Sequence, residues 1–135
     1  MVVDMARYGG NTPATDDAAW EKILVAIAGE LKGNHVKYVV AESADGGPIG
    51  VAGAELTTLG GAFAPKKTLH ISVVYVLPRL RHGGIGGRLI AKLLDWGRAA
   101  GCELCDLNVL SGNPARSLYE RCGFSVSEVK MVRSL

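Results

Sequence analysis

Three features of the 135-residue sequence predict a single α/β domain in which one sheet is flanked by helices. Runs rich in β-branched residues interleave with runs that repeat apolar residues every three or four positions, in the order strand, helix, strand, strand, strand, helix, strand, helix, strand. A glycine-rich stretch, Arg81, His82, Gly83, Gly84, Ile85, Gly86, Gly87, falls directly between one of those strands and one of those helices. The length and the 48% apolar composition suit one core and are too small for two ordinary domains.

Met1 to Ala6 reads as a short first strand, followed by a loop over Tyr8 to Ala14 that holds Gly9, Gly10 and Pro13. Thr15 or Asp16 caps a helix in which Trp20, Ile23, Leu24, Ile27 and Leu31 recur at helical spacing, and Gly33 with Asn34 ends it. Val36 to Glu42 and Ile49 to Thr57 read as a hairpin that turns at Asp45, Gly46, Gly47. A loop over Gly60 to Lys67 carries Lys66 and Lys67. The run Ile71, Ser72, Val73, Val74, Tyr75, Val76 is a strand stopped by Pro78.

From Gly86 to Ala99, the residues Leu89, Ile90, Leu93, Leu94 and Trp96 mark one helix face, and Gly101 closes the helix. Glu103 to Leu110 is a further strand with Leu104, Leu107, Val109 and Leu110 apolar. Asn113 is placed as an N-cap and Pro114 as the first residue of a helix to Arg121, where its missing N–H costs nothing. Phe124 to Arg133 alternates as a last strand, with a shift of phase near Ser127 and Glu128.

Several function classes are excluded by composition. A formal charge of +2 is too small to argue for nucleic acid. No apolar run approaches the ~20 residues of a membrane span, and Asp4 and Arg7 interrupt the N-terminus where a signal peptide needs its apolar core, so a cytoplasmic location is expected. The three cysteines make no disulfide framework. Cys102 and Cys105 have C-x-x-C spacing, but zinc needs about four ligands and no second pair exists, so they are read as structural thiols, with no metal.

The glycine-rich stretch carries the chemistry. Without Cβ atoms its backbone turns tightly and comes close to a ligand. The unpaired amides of the following helix turn, helped by the helix dipole, favour an anion such as phosphate, and Arg81, His82 and Arg88 add positive charge. A dinucleotide fingerprint needs a third glycine where Leu89 stands, and a P-loop needs Lys and Ser/Thr that are missing.

Arg81, Gly84 and Gly86 match the pattern Arg/Gln-x-x-Gly-x-Gly/Ala, and Val76, Leu77, Pro78 resemble the entry into that loop. Ala115, Leu118, Tyr119, Glu120, Gly123 and Phe124 resemble the segment Asn-x-x-Ala-x-x-Leu-Tyr-Glu-x-x-Gly-Phe, with Gly112 at the asparagine position and Asn113 one residue late. On these two motifs, in order and on the expected elements, the chain is identified as a member of the GNAT superfamily of N-acetyltransferases over about Leu69 to Phe124.

That resemblance implies a mixed, mostly antiparallel, twisted sheet and the transfer of an acetyl group from acetyl-CoA to a primary amine by direct attack. A backbone N–H near Val74, Tyr75 and Val76 would stabilise the oxyanion. Amides from His82 to Gly87 (His82, Gly83, Gly84, Ile85, Gly86, Gly87) would hold the pyrophosphate, and Asn113 is the candidate for the pantetheine arm. Tyr119 would protonate the departing thiolate.

Some relatives carry a glutamate base about eleven positions before the motif arginine, where this chain has His70, an imidazole with an ordinary pKa of about 6.5. Glu55 is the second candidate, and Asp106 and Asn108 are expected to line the pocket. The acceptor is expected to be a small-molecule or peptide amine, and the lack of an acidic cluster in the sequence argues mildly against a polycation. The family commonly has two strands after the tyrosine helix and this sequence has about one, so a second subunit is expected to cover the open edge. The alternative is an acyl-CoA-binding module without turnover.

Overall fold

The computed structural model describes residues 35–44, 47–59 and 66–135. The expected first strand and first helix, the turn residues Asp45 and Gly46, and positions 60–65 of the expected loop lie outside them. Strand β1 (Val36–Glu42) alternates half-buried and exposed side chains, and pairs antiparallel with β2 (Pro48–Leu59). Ser43 N–H closes the hairpin onto the Gly47 carbonyl at 2.8 Å. Lys66 and Lys67, expected in a loop, open strand β3 (Lys66–Val76), which pairs antiparallel with β2. Helix α1 (Ile85–Ala99) then crosses to β4 (Leu104–Asp106), which runs parallel to β3, and α2 (Arg116–Arg121) follows. The sheet order is β1-β2-β3-β4.

Helix α1 covers one face of the sheet. Its Leu89, Ile90 and Leu93 pack against Ala52 and Ala54 of β2 and Leu69, Ile71, Val74 and Val76 of β3. Val51, Tyr75 and Leu77 are buried on the opposite face with Tyr38 and Ile49. Burial on both faces explains why β3 reads as a nearly continuous apolar run rather than as an alternation. Among the described residues no helix is long and apolar enough to cross a membrane.

Gly53 is required by the packing of that second face. A Cβ there would stand inside the edge of the Tyr38 ring and 3.0 Å from Val73 Cγ1. Gly53→Ala is therefore expected to destabilise the fold by about 1–3 kcal/mol, the usual cost of overpacking. Urea denaturation would read this as a lower midpoint, and an unchanged midpoint would show that the Tyr38 ring yields freely.

Two expected strands are corrected. Glu103 to Leu110 is strand only over Leu104–Asp106, because β3 offers partners only from Thr68 to His70. Phe124 to Arg133 forms no strand, and its Val129, Met131 and Val132 are exposed. Alternation satisfies the local requirement for a strand, but a ladder also needs a neighbouring edge, and no described strand pairs with this segment.

Candidate active site

The site begins where the sheet parts. The β2–β3 register runs Gly53↔Val73 and then Ala54↔Ile71, so Ser72 is an extra residue in β3. Such a bulge bends its strand and sharpens the twist. Parallel pairing with β4 ends just before it, at His70↔Asp106, and the Leu107 to Leu110 segment makes no ladder with β3, which leaves a gap in the pairing there.

Leu77 N–H donates to Ile49 O at 3.0 Å, which fixes the alternation of this antiparallel pair. Val73 and Tyr75 turn their amides toward β2, and Val74 and Val76 turn theirs into the gap. Of the three residues singled out for the oxyanion, Val74 and Val76 thus present N–H groups there, while the Tyr75 ring packs on the opposite face.

The glycine-rich turn follows at once. After a single 3-10 turn over Pro78–Leu80, His82 and Gly84 take left-handed backbone angles, φ 69° and 83°. Gly84 is the N-cap of α1, and the first turn holds no acidic residue. Arg88 N–H is the first to bond back, to Gly84 O at 3.1 Å, which leaves the amides of Ile85, Gly86 and Gly87 without intrahelical acceptors. A Cβ at Gly84 or Gly87 would meet nothing within 4 Å, whereas one at Gly86 would stand 3.1 Å from Leu118. The space over Gly84 and Gly87 is an open cradle lined by amides, as a phosphate ligand needs, and Gly86 instead lets α1 approach Leu118 of α2.

Arg81, expected at the anion, also has a structural post. Its Nε donates to the Val76 carbonyl at 2.9 Å and its guanidinium lies 5.5 Å from the Tyr75 ring centroid. It ties the end of β3 to the turn. His82, Gly83 and Arg88 are exposed around the same mouth.

Asn113 starts the second motif. The helix expected from Pro114 begins only at Arg116, with Ala115 rather than Asn113 as its N-cap, while Asn113 Oδ1 accepts the Ala115 N–H at 2.9 Å in the turn before it and its Nδ2 donors remain over. Beside it a cavity of about 500 Å³ is lined by Leu110, Ser111, Gly112, Asn113 and Pro114. Tyr119 of α2 is 2% exposed and makes an edge contact with Phe124 at 6.0 Å between centroids. It shares the core cluster with Val74, Val76 and Ala115, which places α2 against the part of β3 that borders the gap. Its hydroxyl is buried and has no hydrogen-bond partner among the described residues. An orphaned buried hydroxyl costs about 1–3 kcal/mol, so this one calls for a partner.

His70 lies on the opposite face from α1. Its Nδ1 is 2.8 Å from Asp106 Oδ1, with the His70 side chain about a quarter exposed. Glu55 is its direct partner across β2, and Gly53, two residues on, lies under Tyr38 on that same face. The structure therefore brings His70, Glu55 and Asp106 together, while Asn108 is exposed beyond the end of β4. The His70–Asp106 bond was not foreseeable from spacing, since it depends on a parallel register between segments 36 residues apart.

The model of the acetyltransferase (GNAT) family matches residues 6–124. The chain belongs to this family. Membership makes it an acyl-CoA-dependent N-acetyltransferase. No curated protein matches it in sequence. A mutant of the BH1408 protein from Bacillus halodurans superposes with a TM-score of 0.77 at 20% identity, covering 93% of this chain and 77% of that one. Aminoglycoside N-acetyltransferase AAC(6')-Iy in complex with CoA has a TM-score of 0.70 at 25% identity, covering 91% and 80%. Glucosamine-6-phosphate N-acetyltransferase from Arabidopsis thaliana has a TM-score of 0.65 at 21% identity, covering 91% and 81%.

In this acetyltransferase Cys102, Cys105 and Cys122 are free thiols. Burial pushes the Cys105 thiol from 9.0 up to about 12, and neighbouring Asp106 and Cys102 add to the shift. The folded form thus holds this proton more tightly than the unfolded chain, so stability is complete below pH 9 and falls as pH rises from about 9 toward 12. Urea melts at pH 7 and pH 10 are expected to differ less in Cys105→Val than in the native protein. Equal differences would show that Cys105 titrates normally.

Proposed function

We propose that this acetyltransferase moves an acetyl group from acetyl-CoA to a primary amine of a small molecule by direct attack, with Tyr119 as the general acid. The observation that carries the proposal is the buried Tyr119 hydroxyl, unpartnered among the described residues, held near the gap in the sheet and downstream of an amide-lined glycine cradle. The cradle and Arg88 receive the pyrophosphate, Asn113 Nδ2 reaches the pantetheine arm, and the Val74 and Val76 amides face the thioester carbonyl.

The arriving ammonium gives one proton to His70, which passes it to solvent, and Glu55 stands beside it. The freed electron pair forms the C–N bond while the carbonyl oxygen gathers charge at the strand amides. Collapse breaks the C–S bond, and the thiolate takes the Tyr119 proton. The second proton of the amine nitrogen restores the phenol. Amide, CoA thiol and one released proton balance the reaction.

Incubation with acetyl-CoA and a panel of primary amines, read by free thiol and by the mass of the product, tests this. Amine-dependent thiol release with an acetylated product is expected. Tight acetyl-CoA binding with no release for any amine would instead favour a sensing module.

The same proposal includes a homodimer, supported by the exposure of Val126, Val129, Met131, Val132 and Leu135, which a second copy would cover. Light scattering at micromolar concentration is expected to give twice the chain mass. A monomer would overturn it.

A further inference from the structure

We infer that Glu55, His70 and Asp106 form the acceptor end of the site, with Asp106 a positioning residue for His70 and Glu55 an anchor for a second ammonium group, so that the acceptor is a small amine with at least two positive charges. The inference rests on the transfer reaction proposed above.

These three residues are far apart in the sequence, yet they form one row. Glu55 pairs with His70 and His70 pairs with Asp106, so the three stand side by side on adjacent strands and the same sheet face. Neighbouring strands are ~4.8 Å apart, which puts a carboxylate on either side of the imidazole. The row lies at the last β3–β4 pair, at the mouth of the gap into which the Val74 amide turns. No acidic run exists in the sequence, so the cluster is a product of register alone.

The two carboxylates do different things. Asp106 Oδ1 lies 2.8 Å from His70 Nδ1, and an ionised carboxylate only accepts hydrogen bonds. Nδ1 therefore carries the hydrogen, and Nε2 keeps its lone pair for the ammonium proton. As the N–H bond of the ammonium breaks, the proton goes to Nε2, and Asp106 stabilises the imidazolium without taking the proton itself.

Glu55 is half-buried, and among the described residues no hydrogen bond or ion pair holds its carboxylate. Lys37 of β1 does not neutralise it, because its Nζ lies over the Trp96 ring on the other face. Lys67 is engaged as well, with Nζ donating to the Ala100 carbonyl. Lys66 shares the His70 face but stands four residues along β3, ~13 Å away at strand rise. Among the described residues the local excess of negative charge suits a cation reaching beyond the reacting amine and opposes an acceptor that bears a phosphate.

The test titrates 1,4-diaminobutane and butylamine separately into the protein saturated with CoA, which cannot transfer. The diamine is expected to bind about 10-fold more tightly, and Glu55→Gln is expected to bring the two to parity. Equal affinities in the native protein, or a preference that survives Glu55→Gln, would overturn the anchor. For Asp106, nitrogen NMR of His70 is expected to show hydrogen on Nδ1 in the native protein and its loss in Asp106→Asn.

The Asp106→Asn change should also lower kcat by about 10- to 100-fold at similar KM, with partial recovery in Asp106→Glu. An unchanged tautomer and unchanged kcat would overturn the positioning role. Diamine preference and tautomer are read without turnover, so a failure of acetyl transfer alone would sink the proposed reaction and leave the acceptor row standing.

Discussion

Replacing Tyr119 by phenylalanine is expected to lower kcat by about 10²–10⁴-fold, the range for loss of a general acid, with the acetyl-CoA dissociation constant changed by less than about two-fold. The ring stays in place because its contacts with Phe124 and its neighbours in the core cluster are apolar and edge-on. The hydroxyl has no partner among the described residues, so its loss removes no hydrogen bond described there. Tyr119→Phe should therefore be as stable as the native protein, or more stable by about 1 kcal/mol. Steady-state thiol release, calorimetry with acetyl-CoA and a urea melt separate the three quantities. Unchanged turnover would remove Tyr119 from the mechanism, and a large loss of stability would mean that its hydroxyl is bonded after all.

The second large effect is expected at the cradle. Gly87→Glu should weaken acetyl-CoA binding about 100-fold, because it sets a carboxylate at the amides that would receive phosphate. The fold should tolerate it. A Cβ at this position meets nothing within 4 Å, and an acidic residue in the first turn of a helix is favourable. Gly87→Ala serves as the control, with native-like affinity and a gain of up to about 1 kcal/mol in helix propensity. Binding by Gly87→Glu that equals the native protein would place the anion elsewhere.

Much of this site could be read in the sequence because its signals are local. The helix over Ile85–Ala99 announces itself by periodicity and by the glycines before it, and Asn113 with Pro114 marks the start of the tyrosine turn. The strands Val36–Glu42 and Pro48–Leu59 were legible for the same reason.

Features set by register were not. The Ser72 bulge, the end of β4 at Asp106 and the row of Glu55, His70 and Asp106 all depend on which residue of one strand meets which residue of another. The alternating tail after Phe124 shows the converse, a strand pattern with no edge to join among the described residues. Two adjacent lysines look like solvated punctuation, yet Lys66 and Lys67 open the exposed end of a strand that becomes fully buried farther on.

The most direct test of the account is calorimetric titration of the protein with acetyl-CoA, with NAD and desulfo-CoA as controls. Saturable heat with a micromolar dissociation constant is expected for acetyl-CoA, and little or none for NAD. Absence of binding, or equal binding of NAD, would contradict it and reduce the glycine-rich turn to a general anion site.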